Sequence, residues 1–210
     1  MIICRRVGCR AGNPSFFILS TRAAACSAVI YFAAMEHVRH IRMASEDDLP
    51  RIMELIECGR RKMRAMGNTG QWTGGEPRVE VVMGDIEDGN SYLVTEDGIA
   101  VATFAFAEGP DITYGEIYDG RWIDDTMPYH VIHRIASAPG TRGILKLILD
   151  WGSRITNNIR IDTHRQNTIM RSALVKHGFR CCGIIYLLNG DERLAYQRVC
   201  RCAPGDAHLF

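Results

Sequence analysis

Between residues 129 and 179 the apolar positions of the chain change period twice. Over 129–137 they alternate, with Val131, His133 and Ile135 on one side of an extended run and Ile132, Arg134 and Ala136 on the other, so the pattern predicts a strand. Over 144–156 the period becomes helical: Ile144, Leu147, Ile148 and Trp151 fall at i, i+3, i+4 and i+7. The join, Pro139-Gly140-Thr141-Arg142-Gly143, carries glycines that open backbone conformations closed to other residues and let a ligand come close. A strand at 158–163 follows, then a helix opened by Asn167, with Ile169, Ala173 and Leu174 facing inward and Lys176-His177-Gly178 closing it as basic residues plus a glycine cap. Strand, glycine turn and helix together present unpaired amides at the positive end of a helix dipole, which stabilises an anion.

The flanking sequence reads as further alternation of strands and helices. A short strand at 39–44 leads into Ser45 and Asp48, a capping box with Asp in place of Glu, and Pro50 sits where a first turn tolerates it. The helix that follows runs to about residue 66, with Leu49, Ile52, Met53 and Ile56 on one side. A second helix is expected over 79–88 from Val82 and Ile86. Strands at 91–96 and 99–107 are joined by Asp97-Gly98, a hairpin signal. Gly109-Pro110-Asp111 breaks the sheet, and 114–125 is a polar loop with aromatic residues. After Phe179 come a strand, a turn at Asn189-Gly190-Asp191 and a returning strand over 192–199.

Composition narrows the class without naming it. A chain of 210 residues with 47% hydrophobic and 23% charged residues suits one globular core. The net charge of +1 supplies no global attraction to nucleic acid or membrane surfaces, and neither partner is expected. The basic run Arg60-Arg61-Lys62-Met63-Arg64 reads as cations on a solvated helix end in preference to a nucleic-acid patch. Eight cysteines include no Cys-x-x-Cys, so a metal site is not expected, and reduced thiols in a cytoplasmic protein are the plainer reading. Residues 1–34 differ from the rest: basic, without acidic residues and ending in an apolar run too short to cross a bilayer. They read as an upstream translated or targeting-like extension, with the folded domain at 35–199 and a tail at 200–210.

His133-Arg134-Ile135-Ala136-Ser137, Thr141-Arg142-Gly143, Ile161-Asp162-Thr163-His164, the run from Asn167 to Phe179 and Gly183-Ile184-Ile185-Tyr186-Leu187 together resemble the GNAT superfamily of acetyl-CoA-dependent N-acetyltransferases, over residues 39–199. The resemblance implies an α/β (α+β) fold: a mixed, mostly antiparallel, twisted sheet of about six to seven strands, splayed at its centre, with about four helices. The ending of the chain is similar to bacterial small-molecule members. Two departures stand out. With Gly143 as the middle glycine of the phosphate turn, the outer positions are Gly140 and Leu145, so the full glycine cradle is not kept. Where many members place a tyrosine that protonates the departing thiolate, this chain has Leu174.

The resemblance implies roles for particular residues. Acetyl-CoA as cosubstrate would meet Ile135, Ala136 and Ser137 along its pantetheine arm, Arg142, Gly143 and Ile144 at its pyrophosphate, and Asn167 beside the arm. An amide of Ile135 or Ala136 would stabilise the oxyanion. Attack needs a neutral amine, and histidine suits the removal of its proton; His133 and His164 are the candidates. Gln71 and Trp72, in the loop after the first long helix, and Trp122, with Tyr114 and Tyr118, are candidates for lining the acceptor pocket. Asp162 and Arg165 are placed to pair on the surface. The acceptor is expected to be a primary amine of a small molecule or peptide, and a homodimer is left open. A GNAT-like module that binds acyl-CoA without turnover, and an unrelated α+β adaptor, are the competing classes.

Overall fold

A computed structural model describes residues 38–200; the expected extension at 1–34 and nearly all of the expected tail lie outside them. Seven strands form one sheet: β1 (Arg39–Met43), β2 (Ser91–Glu96), β3 (Ile99–Glu108), β4 (His130–Ser137), β5 (Asn158–Thr163), β6 (Arg180–Tyr186) and β7 (Glu192–Val199). Their order is β1-β2-β3-β4-β5-β7-β6. Every neighbouring pair is antiparallel except β4 and β5. Four helices complete the fold: α1 (Leu49–Ala65), α2 (Val79–Glu87), α3 (Ile144–Gly152) and α4 (Thr168–Lys176). The mixed, largely antiparallel sheet with four helices is the architecture expected from the sequence.

Local chemistry explains most boundaries. Ser45 and Asp48 form the capping box, with the Ser45 amide donating to Asp48 Oδ2 at 2.9 Å, on a short 3-10 turn that precedes α1. Asp97 (φ 51°) and Gly98 (φ 84°) make the tight hairpin between β2 and β3, a turn with two left-handed residues. Asn167 caps α4 by accepting from the Met170 amide at 3.2 Å, and Gly178 (φ 82°) ends it while the Phe179 amide reaches back to the Leu174 carbonyl. Helix α3 stops at Gly152, four residues before the expected end; a Cβ at Gly152 would stand 3.3 Å from Phe106 and 3.5 Å from Ile159.

Two apolar clusters join the helices to the sheet. Val94, Phe104, Ile132, Ile148, Ile159, Leu174 and Tyr196 belong to the largest. Ile52, Leu55, Ile56, Val82 and Leu93 tie α1 and α2 to the sheet. Ile169, expected to face inward, is 45% exposed, since the core side of α4 is taken by Leu174.

The expected simple alternation along β4 does not survive intact. Arg134 adopts φ 54°, and the register to β3 shifts between Thr103 and Ala105. This bulge breaks the period-2 count: Ile132 and Ile135 both pack on the largest cluster, whereas Val131 joins a third one and Ala136 packs with α1. Beyond it β4 and β5 diverge, since their parallel ladder covers two residue pairs, His130 with Ile159 and Val131 with Arg160.

Candidate active site

The divergence of β4 from β5 opens a cleft of about 980 Å³. Its walls include His133 to Ser137 of β4, Thr141 to Leu145 at the start of α3, Ile161 to Thr163 of β5 and the amino-terminal half of α4. Past Val131 the edge of β4 has no ladder partner in β5, which leaves backbone donors and acceptors turned toward the cleft.

At one end is the turn before α3. Gly143 sits at the helix N-cap with φ 75°, and Gly140 has φ 80° with no heavy atom within 4 Å of where a Cβ would stand. The turn keeps its two left-handed glycines three residues apart and stays open beside the first amides of α3. Arg39, at the start of β1, donates from Nη1 to the Arg142 carbonyl at 2.6 Å and pairs with Glu96 through Nε at 2.6 Å. That guanidinium steadies the turn and adds positive charge near it. Sequence reading missed Arg39 because it lies about a hundred residues upstream.

Further in, charged groups gather around His133. Its Nε2 is 3.0 Å from Asp111 Oδ2 and its Nδ1 is 3.6 Å from Asp162 Oδ1, so each ring nitrogen faces a carboxylate. Tyr114 donates its hydroxyl to Asp162 at 2.7 Å and lies edge-on to the imidazole, and Arg193 Nε stands 3.7 Å from the other Asp162 oxygen. Burial disfavours charge on His133, but the hydrogen bonds to Asp111 and Asp162 outweigh it, and the pKa lies above the ordinary histidine value even with Arg134 nearby. Burial alone would raise Asp111, yet the hydrogen bonds from His133 and Thr113 bring its pKa down to about 2. Burial, aided by the neighbouring Asp162, drives the Tyr114 hydroxyl well above its usual range. Asp111 and Asp162 were not read as site residues: one follows a sheet break and the other ends a strand, and nothing local distinguishes them. The alternative of a surface pair between Asp162 and Arg165 is not the one formed; Arg165 pairs with Glu192.

The loop 67–72 closes another side. Gln71 and Trp72 line the cleft, as does Asn167. Gln71 Oε1 receives hydrogen bonds from Asn68 Nδ2 at 3.1 Å, Asn167 Nδ2 at 3.1 Å and Thr163 Oγ1 at 3.4 Å, which ties the loop to β5 and the cap of α4. Asn167 is therefore both cap and cleft residue. Trp72, itself at φ 57°, lays its ring on Gly59 of α1, where a Cβ would come within 2.9 Å of Cζ3.

Two expected site residues lie elsewhere. Trp122 is a correction: it is 7% exposed, stacked on Tyr114 at 5.7 Å between ring centroids, with the Arg160 guanidinium 4.0 Å above its ring. It is core, because a fully buried Arg160 needs aromatic faces around it as well as its Asp125 partner. His164 does not line the cleft; its ring packs over Gly70 and its Nδ1 accepts from the Gln166 amide at 3.2 Å. Burial, with Arg193 and Arg165 nearby, lowers its pKa. Leu174, where the resemblance implies a tyrosine, is fully buried in the main cluster. Among the described residues no group of histidine, cysteine and carboxylate side chains is arranged to hold a metal, and no helix is long and apolar enough to cross a membrane.

No protein-family model matches the sequence, and no curated protein matches it. Solved structures do. A GNAT-family acetyltransferase from Streptococcus agalactiae is 31% identical, with 78% of this chain and 96% of that one covered at a TM-score of 0.71. A GNAT-family acetyltransferase from Listeria monocytogenes is 22% identical over 77% of this chain and 94% of that one, with a TM-score of 0.58, a likeness of fold. The NatC complex bound to Gag peptide and CoA shares the fold at 14% identity and a TM-score of 0.50, over 77% and 98% of the two chains. With the split β4–β5 edge, the turn at Gly143 and a relative of this identity over almost its whole length, the chain belongs to the GNAT family of acetyltransferases.

Proposed function

We propose that the protein transfers the acetyl group of acetyl-CoA to a primary amine of a small molecule or peptide by direct attack. The observation that carries this reading is one cleft joining the open turn at Gly143, the released edge of β4 and the Asp111–His133–Asp162 cluster. The donor set suits the coenzyme: a diphosphate fits the first amides of α3 and the Arg142 guanidinium, and an amide-bearing arm fits the free edge at Ile135, Ala136 and Ser137, with Asn167 alongside. Acetyl-CoA supplies the activated acyl group. The amide of Ile135 or Ala136 would then face the developing oxyanion.

The acceptor arrives as an ammonium, and the carboxylates of Asp111 and Asp162 attract it. His133, once neutral, takes the first proton of the ammonium and the lone pair of the freed amine attacks the thioester carbon; as the tetrahedral intermediate collapses, the C–S bond breaks and the nitrogen gives up its second proton. Leu174 carries no proton to give, so that second proton passes through water in the cleft to the departing thiolate, leaving the amide and the free thiol. The cytoplasm is the proposed setting. The buried Leu174 also favours a second reading, a module that binds acyl-CoA without turning it over.

Calorimetric titration of acetyl-CoA into the full chain tests the coenzyme site. Micromolar binding, about −8 kcal/mol, supports it, whereas no binding at millimolar coenzyme removes it. Release of free thiol in the presence of an amine panel then separates the enzyme from the binding module.

A further inference from the structure

The loop over the cleft holds a buried acceptor that the protein leaves unused. Asn68 is 2% exposed and lines the cleft, and its Oδ1 has no hydrogen-bond partner. Its Nδ2 is fixed, donating to Gln71 Oε1 at 3.1 Å. Turning the amide over would set two carbonyl oxygens against each other at that distance, so the orientation is held. Gln71 Oε1 already takes three donors, from Asn68, Asn167 and Thr163, so it has no capacity left for a ligand. The loop therefore holds one buried carbonyl oxygen without a donor, on a residue that lines the cleft. A buried acceptor without a donor destabilises the fold, and a ligand N–H that reaches it removes that cost on binding.

We propose that Asn68 Oδ1 is a recognition acceptor for an N–H group of a bound substrate. The inference rests on the acetyl-transfer reading, which brings two N–H donors into this cleft: the ammonium of the acceptor and the amides of the coenzyme's arm. Gln71 and Asn167 act behind it as positioning residues, because the shared oxygen of Gln71 sets the angle of the Asn68 amide.

The test combines calorimetric titration of acetyl-CoA with steady-state kinetics in which both substrates are varied, on the wild type and Asn68→Ala, with melting curves for each. Asn68→Leu, of similar shape but without polar ends, is read in the same way if the alanine variant melts too low to assay. A rise of about tenfold in the KM of the amine, with acetyl-CoA affinity within about twofold, assigns the acceptor ammonium. A rise of about tenfold in the Kd of acetyl-CoA assigns the coenzyme arm. Both constants unchanged within about twofold would mean that no substrate N–H reaches this oxygen, which overturns the inference and leaves the acetyl-transfer reading standing. Failure of the wild type to bind acetyl-CoA would overturn that reading, and the inference with it.

Discussion

The Asp85 carboxylate of α2 grips the Arg134 guanidinium from two sides, Oδ2 accepting from Nε at 2.6 Å and Oδ1 from Nη2, and Arg134 is the residue at which β4 takes its left-handed step. A non-glycine residue in that conformation costs about 1–2 kcal/mol. The bidentate pair, with both side chains largely buried, offsets that cost from outside the sheet. The bulge in turn decides which way the amides of Ile135 and Ala136 point.

Asp85→Ala is therefore expected to lower kcat by about tenfold while acetyl-CoA affinity changes by less than about threefold, with a stability loss of about 1–3 kcal/mol in denaturant melts. Asp85→Glu should recover part of both. If stability falls and kcat does not, the pair only holds the fold and has no bearing on the geometry of transfer.

His133 predicts opposite pH dependences for stability and rate. Its pKa in the folded protein lies above the usual 6.5, so the stability gained from Asp111 and Asp162 is complete below about pH 6.5 and fades as pH rises through the folded value. The proposed base is active only once neutral, so kcat/KM should climb over that same interval. Asp111 behaves in the other sense: with its pKa brought down to about 2, its contribution is present above the ordinary carboxylate value of 3.8 and is lost as pH falls toward 2. His133→Ala should cut turnover at neutral pH, flatten the climb and leave acetyl-CoA binding in place. A variant with an unchanged pH–rate profile would remove His133 from proton transfer.

Gly143→Asp sets a carboxylate at the mouth of the phosphate turn. Arg39 Nη1 lies 3.7 Å from the position its Cβ would occupy and offsets the new charge, while the left-handed φ of 75° makes a side chain there cost about 1–2 kcal/mol of stability. The Kd of acetyl-CoA is expected to rise by about tenfold or more, read by titration, with a change in melting temperature of only a few degrees. An unchanged Kd would put the phosphates elsewhere.

Much of the scaffold was legible because local chemistry dictates it. The capping box at Ser45, the Asp97-Gly98 hairpin, the Asn167 cap and the Gly178 stop each act through neighbours in sequence, and each appears where read. The bulge at Arg134 was not legible, because its partner Asp85 is 49 residues away and propensity argues against an arginine with positive φ. The site divides along the same line. The turn at Gly143 and the edge of β4 follow from contiguous residues, whereas Asp111 and Asp162 converge on His133 only through the sheet. Trp122 misled because an aromatic residue in a polar loop looks available for a ligand, and only the tertiary structure reveals that Arg160 stacks against it.

The short ladder between β4 and β5 has a consequence for how the molecule breathes. With two residue pairs joining the strands, the middle of the sheet is a seam at which β1–β4 and β5–β7 are held more by side chains than by backbone. A ligand whose arm pairs with the free edge of β4 would act as a missing strand. Amides on both banks of the seam should then exchange with deuterium more slowly when it is bound, and the two halves should open together rather than separately.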